Sequence, residues 1–320
     1  MRDRFGRDIT YLRVSITDRC NLKCAYCSFG AGYTHARRED ILSYEEFLRV
    51  IRAGVPLGIR KIRITGGEPL VRADATGFIR EVVRTAGVEH VGLTTNGLLL
   101  RKHVSELADI GMPGVNVSLD SLKADRFARL TGAGPEALDE VVAGIESTLQ
   151  AGLKVKVNVV LMRGLNDDEL AEFARMSINR PIQVRFIEFM PPGEWSASGC
   201  APVTADEAFR EANRLGRLVP VSDDLSTVAR VYRFDGAKGT LGFISPYSQP
   251  FCAKCNKIRL TAQGVLRSCL LSDAHVDLRA LLRTAGATDE QVRDALRSAI
   301  ALKPEWQKRC RDFSMSDIGG

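Results

Sequence analysis

The chain has 320 residues, 45% of them hydrophobic, enough for one large domain with an appendage or for two domains. Its net charge of +6 admits an acidic partner but is too mild to demand nucleic acid. No apolar run approaches the roughly 18 residues that a bilayer span requires, and the charged start Met1-Arg2-Asp3-Arg4-Phe5 lacks an apolar signal region, so a cytoplasmic protein with reduced thiols and no membrane partner is expected.

Residues 10–190 alternate short β-branched runs with longer helical patterns. Strands are predicted over 11–17, 61–65, 90–95, 114–119, 154–160 and 183–189, and helices near 43–54, 75–86, 101–110, 134–151 and 167–177. Ser43 followed by Glu46 makes a capping box for the first helix, and Pro135 suits the opening turn of the fourth. Such β/α repeats predict a parallel sheet with crossover helices, either open and doubly wound or barrel-like. From about residue 191 the regularity stops. A connection over 191–202 leads to a helix near 204–215, then to β-rich runs from 228 and 239 and a hairpin turning at Ala262-Gln263-Gly264. A helix is predicted over 276–301, and the chain ends in Gly319-Gly320.

Within the strands one parity is polar: Arg13, Ser15 and Thr17; Lys61, Arg63 and Thr65; Thr94 and then Asn96; Asn116, Ser118 and then Asp120; Lys154, Lys156 and Asn158. The other parity is apolar, as in Val14, Ile16, Ile62, Ile64, Val115 and Val117. Helices cover the apolar side of a β/α sheet, so the polar side faces a wetted interior or a ligand. Its cations imply a polyanion there.

Six of the eight cysteines fall into two triplets, Cys20, Cys24, Cys27 and Cys252, Cys255, Cys269, with Cys200 and Cys310 outside both. Three thiolates suit a soft metal site with one open position, whereas structural zinc wants a fourth ligand. Where the second strand ends, Gly66-Gly67-Glu68-Pro69 lets a ligand approach the backbone, and Glu68 can accept hydrogen bonds from an amine.

The first triplet, with Tyr26 before its third cysteine, combined with Gly-Gly-Glu-Pro, resembles the radical S-adenosylmethionine superfamily. Beyond that, Thr17-Asp18-Arg19-Cys20-Asn21, Leu93-Thr94-Thr95-Asn96-Gly97, Arg185-Phe186-Ile187-Glu188-Phe189-Met190, the segment 251–270 and the Gly-Gly end resemble the GTP 3′,8-cyclase family of molybdenum cofactor biosynthesis across nearly the whole chain. The resemblance implies a partial (β/α)6 TIM-like barrel over 1–200. A C-terminal β-rich and helical extension over 201–320 would carry the second cluster and the Gly-Gly tail. It implies two [4Fe-4S] clusters, S-adenosylmethionine, GTP as substrate and an external electron donor. A downstream cyclic pyranopterin monophosphate synthase would take the product; monomer or homodimer stays open. By family match, Tyr26, Gly66, Gly67, Glu68, Ser118 and Met190 would surround S-adenosylmethionine. GTP would be bound by Arg13, Lys61, Arg63, Thr94, Lys156, Arg185, Lys257, Ile258 and Arg259. Arg13, Lys257 and Arg259 would act in catalysis. The family usually has arginine at position 257, and Ser28-Phe29 replaces its common Met-Pro; lysine keeps the charge but loses the planar fork.

Overall fold

The computed structural model describes residues 1–27, 34–190, 201–221 and 228–307. Ser28, Phe29, Cys200, Cys310, the Gly-Gly tail and most of the expected 191–202 connection lie outside them. The β/α series consists of strands β1 (Tyr11–Ser15), β2 (Lys61–Thr65), β3 (His90–Thr95), β4 (Gly114–Ser118), β5 (Lys154–Leu161) and β6 (Ile182–Glu188). The helices among them are α1 (Tyr44–Gly54), α2 (Ala75–Arg84), α3 (Leu100–Asp109), α4 (Ala124–Thr131), α5 (Ala137–Gln150) and α6 (Leu170–Asn179). The capping box forms as expected: Ser43 accepts from the Glu46 amide while Glu46 reaches back to the Ser43 amide, which stabilises α1 by about 1 kcal/mol. The α1 face Phe47, Val50 and Ile51 then packs into the core with no exposure.

Three expectations need correction. Helix α4 was not anticipated; it ends at Gly132, whose φ of +68° turns the chain. That break moves the start of α5 to Ala137 and leaves Pro135 in the preceding turn. The single helix expected over 276–301 is a short strand β12 (His275–Asp277), α8 (Arg279–Arg283) and α9 (Asp289–Ala301). Gly286 at φ +77° interrupts it, and a Thr288/Gln291 capping box restarts it.

The remaining elements are α7 (Ala205–Asn213), β7 (Leu218–Pro220), β8 (Arg230–Phe234), β9 (Thr240–Ile244), β10 (Lys257–Leu260) and β11 (Val265–Arg267). All twelve strands share one sheet in the order β12-β11-β10-β1-β2-β3-β4-β5-β6-β9-β8-β7. β10 joins β1 and β9 joins β6, both in parallel, so C-terminal strands extend the barrel-like sheet at each side. β11–β12 and β8–β7 finish the edges antiparallel.

The apolar parity behaves as read. Val14, Ile62, Ile64, Val117, Val157 and Val159 show no exposed surface beneath the helices, each worth about 1.5–3 kcal/mol of burial. Among the described residues, no helix is long and apolar enough to cross a membrane.

Candidate active site

The polar side chains of the parallel strands converge on a cavity of about 380 Å³. Strand register arranges them in rungs. Arg13 stands between Arg63 and Arg259, and Tyr11 between Lys61 and Lys257. Across the sheet Lys156 stands between Asn116 and Gln183, and Asn158 between Ser118 and Arg185. All of these residues, with Thr94, line the cavity.

Several of the cations are fixed in advance. Arg63 donates from Nε to the Tyr11 hydroxyl at 3.1 Å and from Nη1 to the Leu93 carbonyl at 3.2 Å. Arg185 donates from Nε to Asn158 Oδ1 at 2.9 Å. The Lys61 and Lys257 ammonium groups sit 5.1 and 5.5 Å from the centre of the Tyr11 ring, within cation–π range.

Crowding like charges in a half-enclosed space perturbs each group. Burial, then the Arg259 charge, brings Arg13 down to about 9, against the opposing influence of Tyr11. Burial brings Lys257 down to about 8. For the Tyr11 phenol burial acts upward, but Arg63, Arg13 and Lys257 together outweigh it and bring it to about 7. Lys257 Nζ and one Arg259 Nη are buried donors without a hydrogen-bond partner. Unsatisfied donors and mutual repulsion are relieved together by a multiply charged anion rich in oxygen, such as a triphosphate.

Cys20, Cys24 and Cys27 border the same cavity on the loop after β1. Two pairs of hydrogen bonds hold that loop. The Lys23 and Ala25 amides donate to the Thr131 and Leu130 carbonyls at the end of α4, each at 2.8 Å. On the other side, the Gly67 amide donates to Thr17 O at 2.7 Å and the Glu68 amide to Arg19 O at 2.8 Å. A Cβ on Gly67 would lie 2.3 Å from the Arg19 carbonyl oxygen, and one on Gly66 2.7 Å from that of Thr17. The paired glycines therefore serve close packing against the cysteine loop as well as lining the cavity.

Burial raises all three thiols, Cys27 to about 12 and Cys24 well above its usual value, and the Cys20 charge adds to the rise at both Cys24 and Cys27. Without a metal they stay neutral; a positively charged cluster supplies what their ionisation requires. Free thiols of this number and softness fit an iron-sulfur cluster.

Tyr26 lines the cavity and donates to Asp120. Burial brings the Asp120 carboxyl up to about 6, and burial with the Asp120 charge holds the Tyr26 phenol well above its usual value. Tyr26 is thus a fixed neutral ring beside the thiols.

The second triplet flanks β10 and β11. Cys252 opens a short turn (Cys252–Lys254), Cys255 lies two residues before β10, and Cys269 lies two residues after β11. Lys257 and Arg259 line the cavity while the three cysteines do not, and the charges of both Cys269 and Cys255 act on Arg259. Arg7, paired with Asp3 at 2.6 Å, donates to the Cys252 carbonyl at 2.8 Å and ties the N-terminal segment to this region.

Known proteins with this sequence pattern share the arrangement's two halves. A family model described as Radical SAM superfamily matches residues 14–177, and one described as Molybdenum Cofactor Synthesis C matches 182–308. A protein of Thermodesulfovibrio yellowstonii named GTP 3′,8-cyclase is 47% identical over the full length of both chains. The chain belongs to the GTP 3′,8-cyclase family. Relatives of that name from Moorella thermoacetica and Geobacter sulfurreducens are each 43% identical, over 100% and 99% of both chains. The solved structure of Streptococcus suis SuiB bound to S-adenosylmethionine superposes with a TM-score of 0.61 over 95% of this chain and 77% of that one. At 17% identity this establishes the shared fold alone.

Three site residues expected from the GTP 3′,8-cyclase resemblance sit apart from the cavity. Glu68 is fully buried: Oε1 accepts from the Leu70 amide (3.0 Å) and the Thr95 hydroxyl (2.9 Å), and Oε2 from the Asn96 amide (2.6 Å). Its carboxylate is committed to backbone and hydroxyl donors rather than to an incoming amine. Ile258 is on the apolar parity, in the core, so only its backbone is available to a ligand. Met190 is half-buried and outside the cavity lining. Conversely, Tyr11 was missed as a site residue. It shares parity with Arg13, which is the signal that could have found it.

Proposed function

We propose that the chain converts GTP to (8S)-3′,8-cyclo-7,8-dihydroguanosine 5′-triphosphate, the first step of molybdenum cofactor biosynthesis. It would use S-adenosylmethionine and two [4Fe-4S] clusters, one on each cysteine triplet. The reading rests on one juxtaposition: Cys20, Cys24 and Cys27 border the same cavity as Arg13, Lys61, Arg63, Lys156, Arg185, Lys257 and Arg259. The barrel side, 1–200, would contribute the radical source, and 201–320 the second cluster.

When bound and reduced by one electron, the first cluster with S-adenosylmethionine supplies a 5′-deoxyadenosyl radical, and the protein orients the partners around it. Gly66, Gly67, Ser118 and Tyr26 would bound the S-adenosylmethionine side. The Arg and Lys rungs would hold the triphosphate through paired donors and so fix where the ribose lies. Restricting the ribose presents its 3′ hydrogen for removal, and restricting the base presents C8 for the new bond. Lys257 and Arg259 line the cavity on β10, the strand that the second triplet flanks, so a base held at that end would approach the region of Cys252, Cys255 and Cys269. An external donor would provide electrons, and a cyclic pyranopterin monophosphate synthase would take the product.

The test is anaerobic incubation of the reconstituted protein with dithionite, S-adenosylmethionine and GTP. The expected result is the cyclised nucleotide by mass spectrometry, formed with 5′-deoxyadenosine. Deoxyadenosine without any GTP-derived product would overturn the assignment in favour of another substrate.

A further inference from the structure

Lys303 follows α9 and is only 2% exposed. Its Nζ donates to the Lys257 carbonyl at 2.7 Å and to the Ser268 carbonyl at 2.9 Å. Those carbonyls belong to the second residue after Cys255 and to the residue before Cys269. One ammonium therefore bridges two of the three cysteine segments. The third is tied to the same strap from its other face: Arg7 donates to the Pro304 and Glu305 carbonyls at 2.7 and 3.1 Å as well as to Cys252 O.

The two cations differ in one respect. Arg7 is neutralised by Asp3, whereas among the described residues no carboxylate pairs with Lys303. Two carbonyl dipoles compensate poorly for an ammonium removed from water, and an apolar side chain would fill the space at lower free-energy cost. Both carbonyls that hold the ammonium lie within two residues of a cysteine, so it sits between the Cys255 and Cys269 segments, where a thiolate-bound cluster would supply the counter-charge.

We infer that Lys303 is a positioning residue for the second cluster, holding its ligand segments together and raising its reduction potential by placing a buried positive charge between the Cys255 and Cys269 segments. The inference rests on the two-cluster reading above. A thiolate-bound cluster becomes more negative by one charge on reduction, so a fixed neighbouring cation favours the reduced form.

The experiment is an EPR-monitored potentiometric titration of reconstituted full-length protein: wild type, Lys303→Met, Lys303→Gln and Lys303→Arg. Each is titrated with and without S-adenosylmethionine, so that the first cluster is recognised by its response. Both neutral variants are expected to make the second cluster at least about tenfold harder to reduce, about 59 mV for one electron. Lys303→Arg should stay within about threefold of wild type, and the first midpoint should not move. If the neutral variants fail to assemble the second cluster while Lys303→Arg assembles it, the requirement for a cation is likewise supported. An unmoved second midpoint in a fully loaded neutral variant overturns the inference, as does a second site left empty by all three substitutions. The triple variant Cys252→Ser, Cys255→Ser, Cys269→Ser should lose about half the iron. Full iron retention there would fell the two-cluster reading itself, which the Lys303 results alone would not do.

Discussion

The guanidinium of Arg63 lies over Gly92, its register neighbour on β3: a Cβ at position 92 would stand 2.6 Å from Arg63 Cζ. Glycine there is what allows Arg63 to reach both the Tyr11 hydroxyl and the Leu93 carbonyl. Gly242 plays a looser version of the same part, its Cβ position lying 3.0 Å from Arg185 Cγ.

Gly92→Ala should therefore push Arg63 off its two partners without opening the core. We expect GTP affinity to fall at least about tenfold, or about 1.4 kcal/mol, with guanosine affinity changed much less. Isothermal titration with the two ligands checks this. Equal losses for both would mean that Arg63 does not serve the phosphates. Gly242→Ala should act in the same direction but more weakly, because its Cβ position lies farther from the arginine it faces, 3.0 Å against 2.6 Å.

Tyr11 gives a pH-dependent signature. Its phenol is brought from 10.0 to about 7 by cations that outweigh burial. A depressed folded-state value means that the unfolded chain binds the extra proton between the two values. Stability relative to Tyr11→Phe should thus rise between about pH 7 and pH 10, and the advantage is lost as pH falls through about 7. Wild-type protein should also show one tyrosinate absorbance step near neutrality that Tyr11→Phe lacks. Adding GTP should suppress that step at pH 8, since a triphosphate replaces the phenolate as counter-charge. A step indifferent to GTP would place the triphosphate elsewhere.

Much of this site was legible before any coordinates, because a two-residue period assigns side chains to faces without reference to topology. Arg13, Lys61, Arg63, Asn116, Ser118, Lys156 and Asn158 all follow from that rule and all line the cavity. What the rule lacks is the order of strands. Nothing local in Lys257-Ile258-Arg259 reveals that β10 lies parallel beside β1, which places Lys257 next to Tyr11 and Arg259 next to Arg13. The Gly-Gly-Glu-Pro turn was legible only in part: Gly66 and Gly67 line the cavity, while close approach of the Arg19 carbonyl to Gly67 and the internal bonds of Glu68 are equally demanding reasons for those residues. Local motifs do not distinguish a backbone neighbour from a bound molecule.

That second reason makes Gly67 testable. In Gly67→Ala the new Cβ meets a carbonyl oxygen of the cysteine loop at 2.3 Å, and a backbone group cannot step aside as a side-chain tip can. The loop carrying Cys20 should shift. We expect the variant to fold, to keep the iron of the second triplet and to lose that of the first, with S-adenosylmethionine cleavage abolished. Iron analysis of the variant beside Cys24→Ala reads this directly. Full iron with normal cleavage would show that the loop accommodates the methyl group.

Lys257 permits the sharpest separation of binding from stability. Its ammonium lies 5.5 Å from the ring centres of both Tyr11 and Phe251, and Nζ has no hydrogen-bond partner. Removing a buried charge that lacks a carboxylate partner should not destabilise the fold, since desolvating that charge opposes folding. Lys257→Met keeps most of the stem and the packing between the rings, so its Tm should equal or exceed that of wild type. Its GTP affinity should nevertheless fall about tenfold or more, as expected when one charge-assisted phosphate contact is lost. Lys257→Arg restores the charge with a planar fork and should bind GTP within about threefold of wild type if the space between Tyr11 and Phe251 admits it. A fall in Tm for Lys257→Met with unchanged GTP affinity would make this lysine a structural residue and remove it from the triphosphate site.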